Sequence, residues 1–342
     1  LTPGRANALI RATPRTLSIH AVIWGACGSL PSPATTPALE RKIRRALWAA
    51  RDQTFESEDD VDRFLESLPL SWRGTYKGNT SCVQIDSGSD EIVLCDAGTG
   101  IRDCARALGP SPAPRTYHIF ISHLHWDHIQ GFPFFAPVYQ PGNRIVFHGG
   151  HRDMEKAIRN QMGPPWFPVD CSAFRAEVEF DLIDERSEIQ VGGMQVRAIR
   201  QEHPGESWGY RFERGGKSIV YSTDSEHGTE TNQDHYPFVE FFRDADILIF
   251  DGQYTFAQAA NEKRHWGHSS HITGVELAAR AQARTLVIFH HEPANDDAEL
   301  ESFLEKARQY REIYSNGAGG KQRGKLYPLD IALARDGLVL EA

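Results

Sequence analysis

The alternation of Leu17, Ile19, Ala21 and Ile23 within Thr16–Trp24 predicts a first β-strand, which runs into the glycine turn Gly25-Ala-Cys-Gly28-Ser29. The pattern then changes. Three prolines in 31–37 precede an apolar stripe at helical period, Leu39, Ile43, Ala46, Leu47 and Ala50, with Lys and Arg on the other face. Ser57, with Asp60 three residues on, has the form of a capping box and opens a second helix carrying Val61, Phe64, Leu65 and Leu68 up to Pro69. Residues 31–77 are therefore expected to be a helical insertion whose apolar stripes cover either the mouth of a cleft or another subunit, which would make the protein a homodimer. Strands resume at Ser81–Asp86 and Glu91–Asp96, joined by Ser-Gly-Ser-Asp as a hairpin. Further strands are predicted at Tyr117–Ser122, Arg144–His148, Val178–Ile183, Gln195–Ile199, Trp208–Phe212, Ser218–Ser222, Ala245–Phe250 and Leu286–Phe289. Helical patterns fall at Ile101–Leu108, His151–Met162, Thr273–Ala283 and Ala298–Tyr314; Ser315–Lys325, with four glycines, reads as a loop. Asp336-Gly337 predicts a final hairpin between Ile331–Ala334 and Leu338–Leu340. Early hairpins followed by strands alternating with helices suit an α+β class, two sheets sandwiched between helices.

A chain of 342 residues fits two domains or one large one. No stretch approaches the roughly 20 apolar residues of a membrane helix, so a membrane protein is excluded. The net charge of −9 would repel a long nucleic acid, although a small anion can still bind locally. Five cysteines without a CxxC spacing point to free thiols in a reducing compartment, and the cytoplasm is expected. Residues 1–16 have no continuous apolar core, so no signal peptide is expected there.

Histidine is the informative excess, fifteen in all. His123-Leu-His125-Trp-Asp127-His128 follows directly on an apolar strand, and three imidazoles with a carboxylate cannot be buried without a partner. A metal supplies one. His and Asp without Cys suit zinc or another first-row ion rather than a structural thiolate site. On an extended loop, alternation would turn His123 and His125 to one ion and Asp127 and His128 to a second. Two glycine-rich turns, Gly25–Ser29 and Gly78-Asn79-Thr80-Ser81, offer backbone amides for phosphate oxygens, which makes Ser29 and Asn79 candidate substrate contacts. Trp126, Phe132, Phe134, Phe135 and Tyr139, with the Pro164–Pro168 segment, suggest an apolar wall for stacking or packing.

The hexapeptide, with Asp96 in Leu-Cys-Asp-Ala-Gly-Thr-Gly, His203 in Glu-His-Pro-Gly, Asp224 in Tyr-Ser-Thr-Asp and His290 in Ile-Phe-His-His, resembles the metallo-β-lactamase superfamily over about residues 17–340. The resemblance implies a single domain over 1–342 with the αββα four-layer sandwich fold. It implies a first metal on His123, His125 and His203, a second on Asp127, His128 and His290, and Asp224 bridging them. His291 competes with His290; the related ribonuclease Z pattern, with its proline three residues after the ligand as Pro293 stands here, selects His290. Asp96 is expected behind a ligand imidazole. Gly267-His268-Ser269-Ser270 resembles the His-Ser-Thr loop of ribonuclease Z and the phosphoribosyl cyclic phosphodiesterases, where the histidine faces the phosphate opposite the metals; capping the following helix is its alternative role. No long basic arm of the kind that grips tRNA is present. The resemblance thus implies a phosphodiesterase with two divalent ions, zinc first and Mn or Fe as alternatives. A metal-bridging hydroxide would attack a small phosphodiester such as a cyclic nucleotide or cyclic ribose phosphate. Asp127, Asp224 and His268 form the catalytic group, and Ser269 joins His268, Asn79 and Ser29 at the substrate. A lactonase or other carboxylic-ester hydrolase on the same metals is the alternative.

Overall fold

The computed structural model describes residues 18–233, 235–317 and 328–342. Fourteen strands form two mixed seven-stranded sheets among these residues. The first sheet runs in the order β14 (Val339–Glu341), β1 (His20–Gly25), β2 (Cys82–Asp86), β3 (Ile92–Cys95), β4 (Thr116–Phe120), β5 (Arg144–Gly149) and β6 (Glu177–Leu182). The second runs β13 (Asp330–Leu333), β12 (Thr285–Phe289), β11 (Ile247–Asp251), β10 (Lys217–Ser222), β9 (Ser207–Arg214), β8 (Met194–Gln201) and β7 (Ile189–Val191). In each sheet four neighbouring strands are parallel, β3 to β6 and β10 to β13. Strands covered on both faces need continuous apolar runs, and Ile247–Phe250 and Leu286–Phe289 are such runs, buried throughout.

Helices close the outer faces. On the first sheet α4 (Gly100–Leu108) and α6 (Met154–Asn160) pack Ile101, Cys104, Met154 and Ile158 with Tyr117, Ile119 and Phe147. On the second sheet α7 (Pro237–Phe242), α8 (His271–Arg280) and α9 (Asp297–Gly317) bury Phe242, Val275, Leu277 and Leu300 against Leu248 and Leu286. Between the sheets lie Ile23, Val83, Phe120, Tyr210, Tyr221 and Phe289. The chain is an αββα sandwich, as its element pattern predicts.

Residues 31–77, expected to be an insertion, contain α1 (Thr36–Ala50), α2 (Glu58–Ser67) and a short α3 (Leu70–Arg73). Ser57 and Asp60 form the anticipated capping box. The segment is tied to the start of α9: Lys42 pairs with Asp297, Ser71 Oγ donates to Glu301 Oε2 at 2.5 Å, and Tyr76 N donates to Asp297 Oδ1 at 2.8 Å.

Two expectations fail. Asp336-Gly337 is a turn but not a hairpin, because β13 pairs in parallel with β12 while β14 pairs with β1 in the other sheet. The Asp336 carboxylate accepts from Asn79 N and Nδ2, and Gly337 N donates to Ile23 O. Two open sheet edges each gain a strand, which completes more backbone bonds than an isolated hairpin would. Second, Ser315, Asn316 and Gly317 continue α9; the remainder of the loop expected at 315–325 lies outside the described residues, as do residues 1–16.

Candidate metal centre

Every candidate ligand sits just beyond the carboxyl end of a strand or at its last residue. Asp96 follows β3, the hexapeptide follows β4, and His203 follows β8; Asp224 follows β10, Asp251 ends β11 and His290 follows β12. The edges of the two sheets thereby aim six chain segments at one point, the usual place for a site in parallel α/β sheets. Several of these residues have left-handed backbone, with φ of 62° at Asp96, 44° at Asp224 and 61° at His290. Such conformations cost about 1–3 kcal/mol each and persist where the surroundings hold them. The hexapeptide is not fully extended: Trp126–Ile129 forms one helical turn, α5. That turn buries Asp127 and His128 and leaves the His128 ring 4.2 Å from that of His123, as near as His125 at 4.5 Å, so strict alternation along an extended loop does not describe the segment.

The donor atoms gather around Asp224, whose two oxygens face different partners. Oδ2 lies 3.6 Å from His123 Nε2 and 3.9 Å from His203 Nε2, and the latter is 3.1 Å from His125 Nδ1. Oδ1 lies 3.4 Å from His128 Nε2 and 3.2 Å from His290 Nε2; both of these are 3.2 Å from Asp127 Oδ2. His291 points elsewhere, its Nε2 donating to Ala334 O at 2.8 Å. The geometry therefore seats His290 among the donors rather than its neighbour.

Electrostatics put five of these groups, His123, His125, His203, Asp127 and Asp224, in the state that ligands require. Burial holds His123 well below the ordinary imidazole range, and lowers His125 and His203, so each keeps a free lone pair. Burial alone would raise Asp127 and Asp224, but the surrounding histidines outweigh it and keep both anionic. His128 is raised, because Asp224, Asp127 and Asp96 overcome its burial.

A layer behind the donors fixes their orientation. Asp96 Oδ2 accepts from His128 Nδ1 at 2.7 Å and from the hydroxyls of Ser122 and Tyr221, and Oδ1 accepts from Ser122 N. The Gly267 carbonyl lies 2.9 Å from His203 Nδ1. Ser29 N donates to Asp127 Oδ2 at 2.7 Å, so this amide serves the donor set. Asn79 N and Nδ2 both donate to Asp336, Nδ2 also to Asp103, and Ser269 Oγ donates to Ser225 O. Ser29, Asn79 and Ser269 thus have protein partners for the groups that the sequence offered to a substrate.

His268 stands beside the donors, its ring stacked on that of His290 at 5.0 Å and its Nδ1 3.9 Å from Asp224 Oδ2. Nδ1 is held by Asp251 Oδ2 at 2.9 Å. Burial disfavours its charged form, but Asp251, then Asp224 and Asp127, push it up to about 9. Helix capping falls to Ser270 instead, whose hydroxyl accepts from Thr273 N. Asp251 was missed in the sequence, although its signal was there: like Asp224 and His290, it is a polar residue closing a buried apolar strand.

The family model of the β-lactamase superfamily domain matches residues 91–291, more than half of the chain and the whole donor set. The chain belongs to the metallo-β-lactamase superfamily. It is 25% identical to ribonuclease Z of Haloarcula marismortui over 266 residues, 63% of this chain and 81% of that one. Its fold matches the metallo-β-lactamase fold protein YhfI of Bacillus subtilis with a TM-score of 0.60 at 15% identity, covering 96% of this chain and all of the other. A diphosphatase of the PhnP family matches with a TM-score of 0.57 at 19% identity, over 94% and 97% of the two chains.

Superfamily members are hydrolases that typically bind divalent metals, and the donor set here fits that use. The Nε2 atoms of His123 and His128 are buried with no hydrogen-bond partner among the described residues. Neighbouring donors of a four-coordinate ion with bonds of about 2.0–2.2 Å lie roughly 3.3–3.6 Å apart. The observed separations of 3.1–3.9 Å bracket that range. Uncoordinated, so many buried histidines and carboxylates would be costly.

Proposed function

We propose that the protein is a dinuclear metal-dependent phosphodiesterase acting on a small phosphodiester, such as a cyclic nucleotide or cyclic ribose phosphate. His123, His125 and His203 would hold one ion, Asp127, His128 and His290 the other, with Asp224 shared through its two oxygens. A His/Asp donor set without thiolate favours zinc, with manganese or iron as alternatives. Bound ions would bring a water near neutral pKa and offset charge on the phosphate.

The observation that carries the choice of phosphorus over carbon is the Asp251–His268 pair beside Asp224. Asp251 accepts a hydrogen bond from Nδ1–H, which leaves Nε2–H to meet the substrate. From there His268 binds a non-bridging oxygen or hands a proton to the departing alkoxide, help that a phosphodiester needs more than a carboxylic ester does. Asp96 and the Gly267 carbonyl keep the rings of His128 and His203 from turning. The relative named ribonuclease Z and the PhnP-family fold neighbour support phosphate-ester chemistry. All five cysteines are unpaired thiols, which supports a reducing compartment, the cytoplasm, as its place of action.

The test is a panel of cyclic mononucleotides, cyclic dinucleotides, cyclic ribose phosphates and bis-p-nitrophenyl phosphate, run against lactones on metal-reconstituted protein. Turnover of a phosphodiester is expected. Lactone hydrolysis without it would move the protein to the carboxylic-ester alternative.

A further inference from the structure

Residues 31–77 leave an apolar surface that nothing among the described residues covers. Leu39, Ile43, Leu47 and Trp48 of α1 are 47%, 59%, 68% and 70% exposed, and Phe55, Val61 and Leu65 are each more than a third exposed. Phe55 packs edge-on against Phe64, which joins the linker to α2. At about 150–250 Å² for an aromatic side chain and less for an aliphatic one, these seven, in the rows of two consecutive helices, together expose roughly 600 Å². A standard interface buries about 800 Å² per partner, so this patch with a polar rim suffices for one.

Charge says what the occupant is. The helix α1 carries Arg41, Lys42, Arg44 and Arg45 against a single Glu40, whereas α2 carries Glu58, Asp59, Asp60, Asp62 and Glu66 against a single Arg63. Lys42 is spent on Asp297, and Asp60 on Arg63 and its own cap. Arg41, Arg44, Asp62 and Glu66 form no ion pair among the described residues. Two consecutive helices of opposite sign, each with an exposed apolar row, form a self-complementary surface. Laying α1 on α1, or α2 on α2, would oppose like charges; laying α1 on α2 satisfies both rows. A two-fold axis makes that contact twice.

We propose that the protein is a homodimer in which α1 of each subunit packs on α2 of the other, with the apolar rows at the centre and the charges at the rim. Lys42 anchors α1 to the start of α9, which holds that half of the surface in place beforehand and lowers the ordering cost of association.

A charge swap tests it. One variant carries Arg41→Glu and Arg44→Glu, the other Asp62→Lys and Glu66→Lys, and both are checked for metal content and circular dichroism against wild type. Sedimentation equilibrium of wild type is expected to show a dimer, and each variant alone should dimerise at least about tenfold more weakly. An equimolar mixture should recover dimers containing one subunit of each kind, since both contacts then pair opposite charges. A wild-type monomer at every concentration would overturn the proposal, whether a foreign protein or the chain's own residues 1–17 cover the patch. Variants that dimerise like wild type, or a mixture that gains nothing, would overturn the α1-on-α2 pairing.

Discussion

Gly267 precedes His268 with φ of 84°, and a Cβ there would collide with His203 Nδ1 and Pro204 Cδ and lie 2.9 Å from His203 Cγ. Gly205, on the other side of the same histidine, has φ of 89°, but a Cβ there would meet only His125 Nε2 at an ordinary 3.7 Å. The two positions therefore separate backbone strain from displacement of a ligand. Alanine at either one pays the left-handed conformation, about 1–2 kcal/mol, which lowers the melting temperature by a few degrees in a chain of this size. Gly267→Ala must also push His203 away and break its 2.9 Å hydrogen bond to the Gly267 carbonyl. Loss of an outer partner of a ligand histidine typically costs 10–100-fold in metal affinity. Competition with a chelator indicator should therefore show metal affinity in Gly267→Ala reduced by roughly that factor, with Gly205→Ala close to wild type and both variants similarly destabilised. Equal metal affinity in the two would refute the account of Gly267 as the strut of His203.

Other expectations follow from the same geometry. His268→Ala should keep fold and metal while kcat on a phosphodiester with a poor leaving group falls by roughly 10²-fold or more, and the loss should shrink with p-nitrophenolate; parental rates with both leaving groups would remove His268 from the mechanism. Asp251→Asn should mimic it in part and move the alkaline limb of the pH–rate profile to lower pH, because the carboxylate that raises His268 is gone while its burial remains. His290→Ala should lose metal, as measured by elemental analysis after gel filtration, whereas His291→Ala should keep it, since His291 bonds to the Ala334 carbonyl instead. His271, buried against Phe303, is held down to about 4 by burial. Below pH 6.5 the unfolded chain takes up a proton that the folded one refuses, so stability is full above pH 6.5 and falls as the pH drops toward 4. The loss from this group between pH 7 and pH 5 is about 2 kcal/mol, and a urea titration of His271→Gln should lack that share of the decline.

Local rules read a large part of the molecule from the chain alone. The apolar runs of β10, β11 and β12 announce buried parallel strands, and the polar residue closing each run marks the sheet edge where chemistry gathers. Ser57 and Asp60 specify their cap because both partners lie within one turn. The hexapeptide is legible because its charge cannot be buried without a partner, whatever the fold around it. What the chain alone did not decide depends on distant segments meeting. Asp336-Gly337 looks like a hairpin turn locally, yet the free edges of two different sheets compete for the strands on either side, and the sheets win. Asn79 and Ser29 read as phosphate contacts until Asp336, Asp103 and Asp127 are brought against them from elsewhere. Asp251 acquires its meaning only when His268, seventeen residues on, returns to 2.9 Å from its carboxylate. Periodicity and capping act over one or two turns of chain and are written in the sequence. Which buried polar group meets which is settled when the two sheets close, because burial makes each unsatisfied partner expensive and only the tertiary structure supplies the match.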